Sequence, residues 1–201
     1  MLILASQSQA RKSLLLGAGF SFDTVAADID ERAVESAAQL GGADAAGVAV
    51  VLAEAKARNV AATRPSATVI AADQTLALDD TLLHKPASLA EARQQLWALR
   101  GRTHLLHAGV ALAVSGQVVW SAVETAELTL REFSEAECDA VLAAEGDAAL
   151  GSVGGYRLEG PSIRLFESLR GDYFTILGLP LLPLLGALRQ YAADAFDKRS
   201  K

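Results

Sequence analysis

Thr68-Val69-Ile70-Ala71-Ala72-Asp73 is a β-branched, apolar run that closes on a carboxylate. It predicts a buried strand ending at Asp73. Working backward, residues from about 45 to 62 are Ala-rich, with Val48, Val51, Leu52 and Ala55 at the spacing of one helical face. Before them, Gly41-Gly42 breaks the chain. Residues 2–5 read as a short buried strand, and Ser6-Gln7-Ser8 turns into a helix that runs to about Leu16, stopped by Gly17 and Gly19. A second extended piece, residues 20–26, leads into the acidic run Asp28-Ile29-Asp30-Glu31.

Working forward, residues 76–78 and 81–83 flank Asp79-Asp80, a tight-turn pair. Ser88 with Glu91 makes a capping-box pattern for a helix running to about Arg100 and stopping at Gly101. Residues 104–114 and 117–130 read as an antiparallel hairpin about Ser115-Gly116. Ser134 with Glu137 repeats the capping box, and Gly146 closes that helix. Residues 151–160 are glycine-rich around Gly154-Gly155-Tyr156. A last helix is predicted from about Pro180, at its first position, to Phe196, with Lys198-Arg199-Ser200-Lys201 as a frayed tail. Helix-linked strands followed by a hairpin predict an α/β fold with a mixed sheet.

Composition narrows the function classes. The chain has 201 residues, within the range of one domain. Its residues are 51% hydrophobic, enough for a sizeable core; with aromatics at 5%, Ala, Leu and Val must fill it. The 18 basic and 24 acidic residues give a net charge of −6. That argues against a general nucleic-acid or anionic-membrane binder, yet allows a small anion held by a few local cations. Cys138 is the single cysteine, which rules out an intrachain disulfide and a cysteine-based zinc site and fits a reducing cytoplasm. The start, MLILASQSQARK, lacks a basic stretch before its apolar residues, so no signal peptide is expected. Residues 175–188 are apolar but interrupted by Gly178, Pro180, Pro183 and Gly186, so no membrane span is expected.

Several groups carry possible chemistry. Ser6, Ser8, Arg11 and Lys12 stand at a helix N-terminus, where hydroxyls, backbone N–H groups and the helix dipole favour a phosphate. No G-x-x-x-x-G-K-[ST] occurs. Alone, the segment reads more simply as a capped helix with solvated cations. Asp28, Asp30 and Glu31 read as a solvated loop or as oxygen ligands for a hard cation. Asp73, at a strand's end, sits where open α/β sheets place ligands and where a carboxylate can activate water. Lys56 on its helix and Lys85 before Pro86 are each ordinary surface lysines alone; with Arg11 they would offset part of a polyphosphate's charge. His104 and His107 fall on opposite strand faces, so a shared metal is not expected. Cys138 reads as a small core residue, and residues 124–147 as a solvated acidic face.

These pieces in this order resemble the Maf family of nucleoside triphosphate pyrophosphatases over nearly the whole chain. The resemblance rests on residues 2–8 (LILASQS) followed by Arg11-Lys12 and Leu15, and on Asp30-Glu31, Lys56-Ala57 and Ala72-Asp73-Gln74. Lys85-Pro86, Leu99-Arg100-Gly101 with His104, Gly154-Gly155-Tyr156 through Glu159-Gly160, and Leu177-Gly178-Leu179-Pro180-Leu181 complete it. It implies a Maf/ITPase-like α/β fold, one domain over residues 1–201, with a central mixed sheet, flanking helices and a cleft between two lobes. It implies a cytoplasmic house-cleaning hydrolase that splits the bond between the α- and β-phosphates and uses a divalent cation, Mg or Mn. In that reading Asp73 is the general base, and Glu31 with Asp73 holds the metal. Lys56 and Lys85 serve catalysis, and Ser6, Ser8, Arg11 and Lys12 bind phosphate.

Gln74 and Glu159 resemble the 7-methyl-GTP subgroup; the dTTP/UTP subgroup tends to carry Thr and Gln there. A carboxylate suits a cationic methylated guanine. Ala10 stands where the subgroups carry a large aromatic or basic residue, so the specificity set is Ala10, Gln74 and Glu159. The alternatives are a dTTP/UTP pyrophosphatase or a non-catalytic nucleotide sensor of cell division. A nucleoside triphosphate is the expected partner, nucleic acid and membrane are not, and a homodimer is allowed.

Overall fold

Side chains on a strand alternate between faces, and at the centre of this sheet both faces are covered. The computed structural model describes residues 1–197; the tail expected to fray, residues 198–201, lies outside them. β1 (Leu2–Ala5) pairs in parallel with β3 (Thr68–Leu78), Leu2 opposite Thr68 and Ala5 opposite Ala71, and on its other side with the two-residue β2 (Asp23–Thr24). Leu2, Leu4, Ile70 and Ala72 enter one core, against α1 (Gln9–Gly17) and α7 (Leu181–Tyr191). Ile3, Ala5, Val69 and Ala71 enter the other, against α3 (Ala45–Thr63). A strand buried on both faces explains why β1 and β3 read as continuous apolar runs.

The sheet has seven strands in the order β2-β1-β3-β5-β6-β7, with β4 (Thr81–Leu83) antiparallel on the far half of β3. β5 (Thr103–Val114) and β6 (Gln117–Leu130) form the expected hairpin. Ser115 and Gly116 both adopt positive φ there, as a two-residue turn of that hand requires. β7 (Phe166–Arg170) adds to β6 antiparallel. Gly109 on β5 lets α3 come close to the sheet, since a Cβ there would collide with the backbone of Ala49 on α3.

The chain divides into two compact units. The first comprises Met1–Gln74, Ala108–Glu124 and the segment from Tyr173 onward. It holds both cores described above, together with α2 (Glu31–Leu40), α6 (Tyr173–Ile176) and α8 (Asp194–Asp197). The second comprises Thr75–His107 and Thr125–Asp172. It holds α4 (Leu89–Leu99), α5 (Glu135–Glu145) and three short 3-10 segments between Gly146 and Leu165. Among the described residues no helix is long and apolar enough to cross a membrane.

Five expectations need correction. The strand does not end at Asp73 but runs on to Leu78, so Asp73 is a mid-strand residue. The acidic run is not all loop: Asp30 caps α2, its Oδ1 accepting from the N–H of Ala33 at 3.0 Å. The extended piece after Phe20 makes only the two residues of β2. The last helix begins at Leu181, with Pro180 as its N-cap, and stops at Tyr191 before the separate α8. The acidic face of residues 124–147 contains a buried exception. Glu145 accepts from the N–H and hydroxyl of Ser162 at 2.9 and 2.8 Å and from Arg157 Nε at 3.1 Å. Of the two capping boxes, Ser134 with Glu137 closes fully. Glu91 instead accepts from the N–H of Ala87, one residue before the Ser88 cap.

Candidate functional site

Past Ala72 the alternation of β3 continues with polar side chains. Asp73 follows Val69 and Ala71 toward α3; Gln74 follows Ile70 and Ala72 toward the opposite face. On the α3 side stands Lys56. Its Nζ lies 3.1 Å from Asp73 Oδ2 and 2.8 Å from Glu31 Oε1. The Lys56 and Asp73 side chains are only 12% and 13% exposed, whereas Glu31 is 55% exposed. The group therefore has a desolvated inner pair and a solvent-facing outer acid. Asp73 Oδ1 also accepts from the N–H of Gln74 at 2.8 Å, which fixes the carboxylate's second oxygen.

Glu31 reaches this place because Asp30 starts α2 there and α2 packs on α3. A residue that the sequence did not single out secures the approach. Asn59, three positions after Lys56 and so on the same side of α3, accepts from the N–H of Asp28 and donates Nδ2 to its carbonyl, each at 3.0 Å. One amide side chain thus replaces a strand partner for the acidic segment. The only trace of it in sequence is a carboxamide in an Ala-rich helix.

Ser8 caps α1, its Oγ accepting weakly from the N–H of Arg11 at 3.4 Å. Ser6 Oγ accepts from the N–H of Ser8 and from Arg11 Nη1, both at 3.2 Å. Arg11 is buried. Its Nε donates to the carbonyl of Gly178 and its Nη1 to the carbonyl of Ala72, each at 2.8 Å. Gln74 Nε2 donates to the carbonyls of Ile176 at 3.0 Å and Thr175 at 3.3 Å. Ala10 and Lys12 are half-buried on α1. The first unit thus gathers Ser6, Ser8, Arg11, Glu31, Lys56, Asp73 and Gln74. Lys85 and Glu159 belong to the second unit, and both are exposed.

As for a metal, no cluster of three or more His, Cys, Asp or Glu side chains arranged to hold an ion occurs among the described residues. Two carboxylates around one ammonium are a partial oxygen set, matching a cation that takes its other ligands from water or phosphate. His104 and His107 go separate ways. His104 Nε2 meets the Tyr156 hydroxyl at 2.7 Å, and His107 Nδ1 meets Thr125 Oγ1 at 2.9 Å. Burial pushes His104 down to about 4 and raises Tyr156 above the ordinary tyrosine range. Cys138 is buried and unbridged, and its thiol is raised by burial.

A mixed sheet flanked by helices, with a lysine held between two carboxylates at β3, defines an α/β protein with a charged group on its central strand. Residues 1–191 match the family model described as Maf-like protein, and the chain belongs to that family. It is 49% identical over 189 residues to a 7-methyl-GTP pyrophosphatase of Brucella abortus biovar 1 (strain 9-941), covering 94% of this chain and 95% of that one. It is 52% identical over 188 residues to a nucleoside triphosphate pyrophosphatase of Bradyrhizobium diazoefficiens, covering 94% and 92%. Among solved structures, a HAM1 protein from Coxiella burnetii aligns over 64% of this chain and 72% of its own, at 17% identity and a TM-score of 0.41.

Proposed function

We propose that this chain is a nucleoside triphosphate pyrophosphatase that hydrolyses the α–β phosphoanhydride, with 7-methyl-GTP as its foremost substrate. The observation that carries the proposal is Lys56 Nζ bridging Asp73 and Glu31. A triphosphate repels anionic nucleophiles, so hydrolysis needs fixed cations beside a base. Lys56 supplies a cation held in place before substrate arrives. Asp73, hydrogen-bonded through both oxygens, is set to orient a water and take its proton. As water adds at phosphorus, the P–O bond to the leaving group breaks and pyrophosphate departs with the electron pair. Ser6, Ser8, Lys12 and the start of α1 offer donors to the phosphates. Lys85 and Glu159 enter through the family resemblance, as a further cation and as the acid facing the base.

Glu31 and Asp73 would hold a Mg or Mn ion, which when bound supplies charge neutralisation on the phosphates. The lone buried cysteine agrees with work in the reducing cytoplasm. The name of the Brucella relative and the Gln74–Glu159 pair support the methylated guanine.

The test is pyrophosphate release from 7-methyl-GTP, GTP, UTP, dTTP and CTP with Mg or Mn, beside Asp73→Asn. We expect 7-methyl-GTP to lead and the variant to lose turnover. A lead for UTP or dTTP keeps the reaction and overturns the substrate. No turnover of any nucleotide by folded wild type overturns the enzyme.

A further inference from the structure

In the second unit, α5 ends in a glutamate whose side chain is wholly buried, Glu145. Neither circumstance favours it. A carboxylate at a helix C-terminus faces the negative end of the helix dipole, and burial strips it of water. Its partners offset both costs. Oε2 accepts from Arg157 Nε at 3.1 Å, and Oε1 accepts from the N–H and the hydroxyl of Ser162 at 2.9 and 2.8 Å. Arg157 and Ser162 stand on either side of Glu159 in the chain. One carboxylate therefore holds both flanks of the segment that carries the acid assigned to the base.

The segment is built around that carboxylate. The N–H of Gly160 donates to the carbonyl of Arg157 at 3.3 Å, closing a turn with Leu158 and Glu159 as its central residues. Gly160 has φ −119° and ψ −175°, so no left-handed backbone calls for a glycine there. Space does: a Cβ on Gly160 would collide with both oxygens of Glu145. Pro161 then opens a 3-10 segment in which Ser162 is fully buried. Of residues 157–162 only Glu159 is exposed.

We propose that Glu145 is a positioning residue for nucleotide selection: by gripping Arg157 and Ser162 it fixes the turn that presents Glu159. Glu145 and Ser162 are both shut off from solvent, so neither meets a nucleotide directly. The inference rests on the pyrophosphatase reading and on Glu159 as the acid facing the base. It concerns the ranking of nucleotides, and the Lys56–Asp73 pair has no part in it.

The experiment compares Glu145→Gln, Ser162→Ala, Glu159→Gln and the double variant Glu145→Gln with Glu159→Gln against wild type, all in the full chain. Thermal unfolding checks that each is folded. kcat and KM are measured for 7-methyl-GTP, GTP, UTP, dTTP and CTP, and amide hydrogen exchange is followed over residues 156–163. Glutamine keeps the shape of Glu145 but puts N–H donors where one oxygen accepted, so one flank of the turn meets donor with donor. We expect the lead of the preferred nucleotide in kcat/KM to shrink about three- to tenfold, through KM, with kcat within about twofold. Exchange over the turn should quicken. Ser162→Ala, which loses a hydroxyl and keeps its N–H, should do the same more weakly. In Glu159→Gln the lead should already be reduced, and adding Glu145→Gln should reduce it no further. A purely structural glutamate would lower turnover of all nucleotides alike and leave their ranking. That result in Glu145→Gln, with the ranking altered in Glu159→Gln, would overturn the inference and keep the reading of Glu159. Additive losses in the double variant, or unaltered exchange over the turn, would overturn it too. An unchanged ranking in Glu159→Gln, or no turnover by wild type, would defeat the reading itself and the inference with it. Should Glu145→Gln not fold, Ser162→Ala decides by the same ranking.

Discussion

The two units each bury a polar pair, and the pairs differ in kind. In the first, Lys56 and Asp73 are charged partners, extended outward by the exposed Glu31. In the second, His104 and Tyr156 join through one neutral hydrogen bond, edged by Phe166 against the tyrosine ring. Desolvation keeps His104 uncharged at neutral pH. The contrast separates a charged group open to solvent on one side from a neutral one sealed from it. An ion pair open on one side can exchange a partner for substrate or cation. A neutral pair sealed from water has nothing to exchange, and its role is to tie β5 to the segment carrying Gly154-Gly155-Tyr156. There a Cβ on Gly154 would press on Leu76, and one on Gly155 would press on Ala92.

The severest way to break the charged group is Asp73→Asn. It removes the proposed base while keeping shape, and turnover should fall about 10³- to 10⁴-fold with the melting temperature little changed. Retention of more than a tenth of wild-type pyrophosphate release would strip Asp73 of that role. Lys56→Met comes next. It leaves two carboxylates facing a site for polyanions, and a loss of about 10²-fold in kcat is expected. If only KM rose, Lys56 would be a ground-state phosphate contact.

The neutral pair makes its own prediction, in pH. His104 is depressed from the ordinary 6.5 to about 4 in the folded protein. Between those values the unfolded chain binds the proton and the folded chain does not. Stability from this residue is therefore complete above about pH 6.5 and declines as pH falls toward 4, with no further loss below. The slope is at most about 1.4 kcal/mol per pH unit, tenfold in the unfolding constant. Urea unfolding at several pH values between 4 and 7 should show His104→Phe with a shallower slope than wild type. Equal slopes would mean that other groups govern acid unfolding.

What could be read from sequence follows what the elements bury. β1, α3 and the β5–β6 hairpin were plain, because apolar spacing or a Ser-Gly turn announces them. α2 was hidden: it buries no residue, so apolar spacing gave little to read, and its start was disguised as an acidic loop. β7 was hidden for a related reason, being exposed along nearly all its length. Asp73 read as a terminator because a charge inside a buried strand is costly. Lys56 removes that cost, and nothing local to the strand reveals a partner 17 residues away. The candidate site residues came from the family resemblance more than from any motif. Alternation alone would have shown that Gln74 faces away from Asp73, since adjacent residues on a strand point to opposite sides.

The finest test of the charged group concerns Asn59, whose side chain is hydrogen-bonded to Asp28 rather than to Lys56 or Asp73. Its carboxamide makes two backbone hydrogen bonds to Asp28, two residues before the cap that starts α2. Without them the segment ahead of Glu31 loses its tie to α3, although Asp30 still caps the helix. Both bonds are exposed, and each is worth about 1 kcal/mol or less. Asn59→Ala should therefore lower kcat only about three- to fivefold, by letting Glu31 wander from Lys56. The effect should vanish in a Glu31→Gln background, because a carboxylate that is absent cannot be misplaced. Additive losses in the double variant would show instead that Asn59 acts on turnover by a route independent of Glu31.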